Sequence, residues 1–243
     1  MIRGHNKKKL TTEVITRAGH PEDEDRLAQK YPQKVIEALL PLLSESRKDI
    51  IDRVVSHRTD LLHIAVEGVN DPHNVAAVLR TCDAFGVLNV HIIETGSKFK
   101  SSAAVTQGAH KWLDINVYST TKEFVDAMHK KGIKIYAAAM EGAVDVATIK
   151  TESPVVLVFG NESEGISDEM LQLCDAVFKI PMFGFVESFN VSVAAAITMS
   201  VLRGKGAGNL SPEASDILKA RYYFRSVRSG SLIVRKQFSD IDL

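Results

Sequence analysis

Between residues 61 and 204 the chain alternates short apolar, often β-branched runs with segments of helical period, and this alternation limits the fold more than any other feature. Strands separated by helices run in one direction and need a helix layer on each face, so an α/β protein with a parallel sheet is expected. The expected strands are 61–69 (LLHIAVEGV), 87–94, 112–119, 134–140, 155–160 and 175–182. The expected helices are 73–86, 101–110, 121–131, 167–174 and 188–204. Asp71-Pro72 offers an N-cap with proline at the first helical position, and Gly86 offers the stop. A composition of 45% hydrophobic and 25% charged residues suits such a core and excludes collagen, extended disorder and a disulfide scaffold. No apolar run approaches the ~20 residues that span a bilayer, and MIRGHNKKKL lacks the apolar stretch of a secretory signal. Cys82 and Cys174 read as reduced core thiols, so a cytoplasmic protein is expected.

The two ends differ from this middle. Residues 1–59 form a helical N-terminal extension broken at Pro21, Pro32 and Pro41, and residues 205–243 a basic C-terminal one. A glycine-rich hinge at 204–210 precedes a final helix opened by Ser211-Pro212-Glu213 and running through 211–228. The formal charge is zero, yet residues 1–59 carry 12 basic against 9 acidic side chains and 60–202 carry 10 against 17. Residues 203–236 carry 8 against 2. Contacts to phosphate are therefore expected from the ends, with Arg203, Lys219, Arg221, Arg225 and Arg228 as candidates. Tyr222, Tyr223 and Phe224, set among these arginines, could stack on splayed bases.

Ligands of open α/β sheets bind at the carboxyl ends of strands, and three such ends here are unusually polar. GVNDPHNVAAVLR places Asn74 at a helix start and Arg80 six residues on, which puts the two on different helix faces. VVLVFGNESEGIS runs from an apolar strand into Gly160, Asn161 and Glu162. FKIPMFGFVESFNVSVAAAI joins Ile180-Pro181-Met182 to an apolar 183–186 loop, then to Ser188, Phe189 and Asn190. Each feature also has an ordinary reading as a cap, a connection or a packed helix. H-E-x-x-H, C-x-x-C and G-x-S-x-G are absent, so nothing calls for a metal or an esterase elbow, and the scattered histidines suit structural roles.

Taken together and in order, these three segments resemble the three motifs of the SpoU-type RNA 2′-O-ribose methyltransferases of the SPOUT superfamily, nearest to the TrmH-like tRNA guanosine methyltransferases. The resemblance covers residues 60–204, which it makes the methyltransferase domain. It implies a C-terminal trefoil knot, a homodimer, S-adenosyl-L-methionine as methyl donor, and transfer to a ribose 2′-hydroxyl, with guanosine 18 of the tRNA D-loop favoured. Carried over by position, Asn74, Arg80, Glu162, Ser188 and Asn190 are the catalytic set. Main-chain groups near Ala138, Gly160, Ile180, Met182 and Phe189 would hold the cofactor, with Phe at 189 where relatives often have Leu. Arg80 is the resemblance's candidate base, although a guanidinium pKa above about 12 makes a phosphate clamp the easier role. The alternatives are a ribosomal RNA ribose methyltransferase and, from another class, a catalytically silent knotted RNA-binding protein.

Overall fold

The computed structural model describes residues 22–69, 71–94, 108–140, 144–161, 163–203 and 208–238. Its centre is a parallel sheet of β1 (Leu62–Glu67), β2 (Asn89–Ile93), β3 (Asp114–Tyr118), β4 (Lys134–Ala138), β5 (Val144–Asp145), β6 (Val155–Phe159) and β7 (Ala176–Lys179). The order across it is β3-β2-β1-β6-β4-β7-β5. Central β1 sets Ile64 between Val90 of β2 and Leu157 of β6, both ladders parallel. Successive side chains face opposite layers, as the two-residue period of a strand requires. Ile64, Val66 and Leu157 join one core, while Ala65, Val156 and Val158 join the other.

The first layer is α4 (Pro72–Phe85) packed on α7 (Val191–Arg203), where Val75, Val78, Leu79 and Cys82 meet Ala195 and Met199. Asp71 caps α4 by accepting from His73 N at 2.9 Å, and Gly86 ends it at φ +73°. A Cβ at Gly86 would lie 2.4 Å from the His57 carbonyl oxygen, so both conformation and space require glycine there. The second layer is α5 (Thr121–Lys130) and α6 (Asp168–Leu173), which contribute Phe124, Met128 and Met170. His63 and His91 are buried in the sheet, as a structural role expects. Burial holds the imidazole of His91 neutral, down to a pKa of about 3, and lowers that of His63 as well. Both cysteines are free, with Cys82 buried and its thiol pushed up by burial.

The terminal segments meet. Helices α1 (Glu22–Lys30), α2 (Pro32–Leu39) and α3 (Glu45–Val55) pack with α8 (Pro212–Ser226) and α9 (Gly230–Gln237) around a third core. Leu27, Val35, Leu39 and Ile51 there touch the same cluster as Leu218, Tyr222, Tyr223 and Val234. Leu88 and Trp112 belong to it too, which joins this layer to the sheet.

Several expectations need correction. Tyr222, Tyr223 and Phe224 are buried, so none can stack on a base. The end of the glycine-rich segment is not a free hinge, because Gly208 N and Asn209 N donate to the carbonyls of Ser56 and Arg58. The long helix starts at Val191 rather than 188, since Asn190 Oδ1 accepts from Ser192 N at 2.9 Å and caps it. Strand β5 and helix α9 were not anticipated. Most of the expected 101–110 helix lies outside the described residues, and 109–112 forms a 3₁₀ turn.

Candidate active site

The cavity that collects the predicted residues opens at the carboxyl ends of the adjacent strands β6, β4 and β7. Its volume is about 450 Å³, within the range of pockets that take a small organic ligand. Ala138, Gly160, Ile180, Met182 and Phe189, the five positions expected to hold a cofactor, all line it. Ser188 of the catalytic set lines it as well. Phe159, Phe178 and Ala194 supply apolar walls, and Ser163, Glu164 and Glu187 supply polar groups at positions that the sequence reading left unassigned. A polar residue within a loop that follows an apolar strand was the signal available for them.

The loop after β6 is built by its own backbone. Asn161 and Gly165 exchange two N–H···O bonds of 2.9 Å, and Asn161 Oδ1 accepts from Ser163 N at 2.7 Å. A Cβ on Gly160 would fall 2.1 Å from the Gly165 carbonyl oxygen, so the turn closes only around glycine. Asn161 Nδ2 then donates to the Gly68 carbonyl at 2.7 Å, tying the loop to the end of β1. Glu162 lies outside the described residues.

Asn190 links two of the three motifs. Its Oδ1 caps α7, which leaves its amide N–H groups outward, and Nδ2 donates to Asn74 Oδ1 at 3.1 Å. A contact across 116 positions thus joins the first turn of α4 to the segment beside Ser188. Arg80 is elsewhere. It is exposed on the outer stripe of α4 with His73 and Ala84, and it does not line the cavity. Six residues of helix place it about 9 Å along the axis from Asn74.

The basic candidates of the C-terminal region mostly have partners within the protein. Arg203 Nε and an Nη donate to the carbonyls of Phe85 and His57, at 3.0 and 2.6 Å. Lys219 pairs with Asp52 at 2.6 Å, and Arg221 pairs with Asp114 at 3.0 Å and with Asp25 at 3.4 Å. Arg225 lies 5.3 Å from the Tyr222 ring centroid, and burial lowers its pKa to about 10. Arg228 is the exposed member of the five. Among the described residues, no group of three or more His, Cys, Asp or Glu side chains could hold a metal ion.

A parallel α/β sheet with an organic-ligand cavity at its strand ends, polar loops around that cavity and a capped helix beside it defines a small-molecule-binding α/β enzyme class. The model of the SpoU rRNA Methylase family matches residues 61–200, and the chain belongs to this family. It is 38% identical over 157 residues to the tRNA (guanosine(18)-2'-O)-methyltransferase of Thermus thermophilus, covering 64% of this chain and 81% of that one. The protein of the same description from Borreliella burgdorferi is 31% identical over 206 residues, covering 82% and 94%. Among solved structures, the TrmH/SpoU tRNA modifying enzyme of A. aeolicus superposes with a TM-score of 0.67 at 30% identity, over 75% of this chain and 98% of that one. The AdoMet-bound rRNA methyltransferase of Sinorhizobium meliloti superposes with a TM-score of 0.53 at 28% identity, over 58% of this chain and 54% of that one.

Proposed function

We propose that the protein transfers a methyl group from S-adenosyl-L-methionine to a ribose 2′-hydroxyl of RNA, at guanosine 18 in the D-loop of tRNA. The observation that carries this reading is the Asn74–Asn190 hydrogen bond beside a cavity whose lining includes Ser188 and all five expected cofactor positions. Relatives described by that activity, matched over most of their length, favour tRNA. The cavity fits the donor in size and chemistry, with apolar walls for a nucleoside and strand-end main-chain groups for its polar atoms. When bound there, S-adenosyl-L-methionine supplies an electrophilic methyl on a sulfonium.

The remaining work falls to the chain. Ser188 and the Asn74–Asn190 pair hold the ribose by hydrogen bonds, so that its 2′-oxygen reaches the cavity mouth. Glu162, outside the described residues, keeps the role of orienting a donor or the loop. Arg80 grips an RNA phosphate near the reacting nucleotide, where its planar fork and its ~9 Å offset along α4 suit a neighbouring backbone group. Arg228 and the exposed surface of the helical layer contribute to holding the folded RNA.

Two further features belong to this proposal. Strand β7 lies between β4 and β5, both earlier in the chain, so the path returns late into an earlier part of the sheet. That path supports a C-terminal trefoil knot. Phe183 and Phe185 are fully exposed and Val186 is 66% exposed, an apolar patch that a second copy would cover in a homodimer. No helix among the described residues is long and apolar enough to cross a membrane. An RNA substrate, with free thiols at Cys82 and Cys174, supports a cytoplasmic enzyme.

The test is transfer of labelled methyl from S-adenosyl-L-methionine to total RNA, followed by nucleoside analysis and mapping. The expected product is 2′-O-methylguanosine at position 18 of tRNA. A base-methylated nucleoside, or no product on any RNA, overturns the chemistry. Methylation confined to ribosomal RNA overturns the substrate and leaves the chemistry intact.

A further inference from the structure

Glu67 is the last residue of β1, and its side chain is 2% exposed with no cation against it among the described residues. A buried carboxylate without a counter-ion must be held by hydrogen bonds. Three neutral donors do this. Oε2 accepts from Ser167 N at 3.0 Å, and Oε1 accepts from Ser167 Oγ at 2.8 Å and from Thr121 Oγ1 at 2.6 Å. Ser167 is the N-cap of α6 and ends the loop that begins at Gly160. The other end of that loop is bound one residue further along β1, where the Gly68 carbonyl accepts from Asn161 Nδ2. Glu67 and Gly68 therefore seize the loop at both ends, and Ser163, Glu164, Gly165 and Ile166 between these ends line the cavity.

From this geometry we propose that Glu67 is a positioning residue for methyl transfer, which sets the height of the 160–166 loop against the cofactor. It acts through Ser167 and touches no reacting atom. The assignment rests on the reading of the cavity as the S-adenosyl-L-methionine site. Its two hydroxyl donors separate a role at the site from a role in the core. Ser167 stands on the cofactor loop, whereas Thr121 stands at the start of α5 and lines no part of the cavity. Deleting either hydroxyl costs the same carboxylate one bond, and thermal unfolding registers separately the α6 cap that Ser167 Oγ also forms with Met170 N at 3.1 Å.

The experiment measures binding of S-adenosyl-homocysteine by calorimetry, thermal unfolding, and KM for S-adenosyl-L-methionine against KM for RNA. In Ser167→Ala the dissociation constant for S-adenosyl-homocysteine is expected to rise about tenfold, the effect of losing one hydrogen bond to a charged group. KM for S-adenosyl-L-methionine should rise in parallel while KM for RNA stays within twofold. Ser167→Thr keeps the hydroxyl and restores wild-type binding. Thr121→Val lowers the unfolding temperature and leaves cofactor affinity within twofold. Glu67→Gln can still accept from Ser167 N and donate to both hydroxyls, so it folds and binds within a few-fold of wild type. If Ser167→Ala binds as wild type does, or Thr121→Val weakens binding equally, the positioning role is overturned. If the wild-type protein itself fails to bind S-adenosyl-homocysteine, the reading of the cavity falls, and this assignment with it.

Discussion

Polar side chains at the carboxyl end of the sheet and polar side chains in the terminal helical layer have opposite fates. At the sheet end, Ser163, Glu164, Glu187 and Ser188 stay exposed and rim a cavity. In the helical layer several charged groups are bound into the protein, with Arg228 left exposed. Arg58 is fully buried, with bonds to Tyr222 Oη at 3.0 Å, the Trp112 carbonyl at 3.1 Å and the Asp83 carboxylate at 2.5 Å. Arg221 bridges Asp114 and Asp25, whose own carboxyl is raised by burial. A basic stretch of sequence is thus no measure of basic surface. Place in the topology, here a loop following a parallel strand, indicates which polar groups rim the cavity better than residue type does.

The largest effect expected tests the helical side of this contrast. Arg58→Ala leaves the Tyr222 hydroxyl, the Trp112 carbonyl and Asp83 without their shared donor. Breaking one side of a fully buried ion pair costs about 3–5 kcal/mol, which is an upper bound here because the Asp83 side chain is 35% exposed. Urea unfolding followed by fluorescence should show this loss, with the terminal layer loosening first. A loss below about 1 kcal/mol would mean that Arg58 is not the joint between the layers.

The sheet side is tested by Arg80→Lys. The charge stays, the bidentate fork goes, and methyl transfer should fall by about two orders of magnitude, some 2.7 kcal/mol. Arg80 does not line the cavity, so calorimetry should find S-adenosyl-homocysteine binding within twofold of wild type. Activity near wild type in this variant would remove Arg80 from the site.

How far each side could be read beforehand follows the same division. β1, β6 and α4 lie within two residues of their expected bounds, because hydrophobic period, proline and glycine are local signals. The five positions expected near a cofactor came from the resemblance to the SpoU-type motifs, and they share the lining of one cavity. The burial of Tyr222, Tyr223 and Phe224 was not legible. It arises when α8 docks on α1–α3, a contact between opposite ends of the chain that no local period records. Helix α9 was hidden for a local reason. Ser229 adopts φ +56°, and a Cβ at Gly230 would sit 2.8 Å from the Phe224 ring, so the pair permits a tight corner between α8 and α9.

The core beneath both regions contains a pH probe. His63 Nε2 lies 3.0 Å from the Asp60 carbonyl, which can only accept, so that nitrogen carries the proton and Nδ1 accepts from His91 Nε2 at 3.0 Å. His91 Nδ1 then accepts from Tyr118 Oη at 3.3 Å. This chain is complete only while both rings are neutral. Below a pH of about 6.5 the unfolded chain takes up protons that the folded pair refuses, so stability falls as pH drops toward the His91 value of about 3. By pH 5 the loss from His91 should reach about 2 kcal/mol, at 1.36 kcal/mol per unit. Denaturant titrations at pH 7 and 5, compared with His91→Gln, isolate it. An equal slope in the variant would show that another group dominates.

The smallest effect decides whether the contrast extends to RNA. Lys219 holds Asp52 at 2.6 Å and lies 5.7 Å from the Tyr223 ring centroid. It therefore has little charge to offer a phosphate, and Lys219→Ala should leave tRNA affinity within about 1.5-fold at moderate salt. Arg228 is exposed, and each phosphate contact it makes releases a counter-ion. Arg228→Ala should weaken binding by a few-fold and lower the slope of log affinity against log salt by about one unit. Filter binding across 50–300 mM salt separates the two variants. Should Lys219→Ala lose the full unit while Arg228→Ala loses none, RNA must displace Asp52. The ion pairs of the helical layer would then open on binding, and their intramolecular partners would be only a resting arrangement.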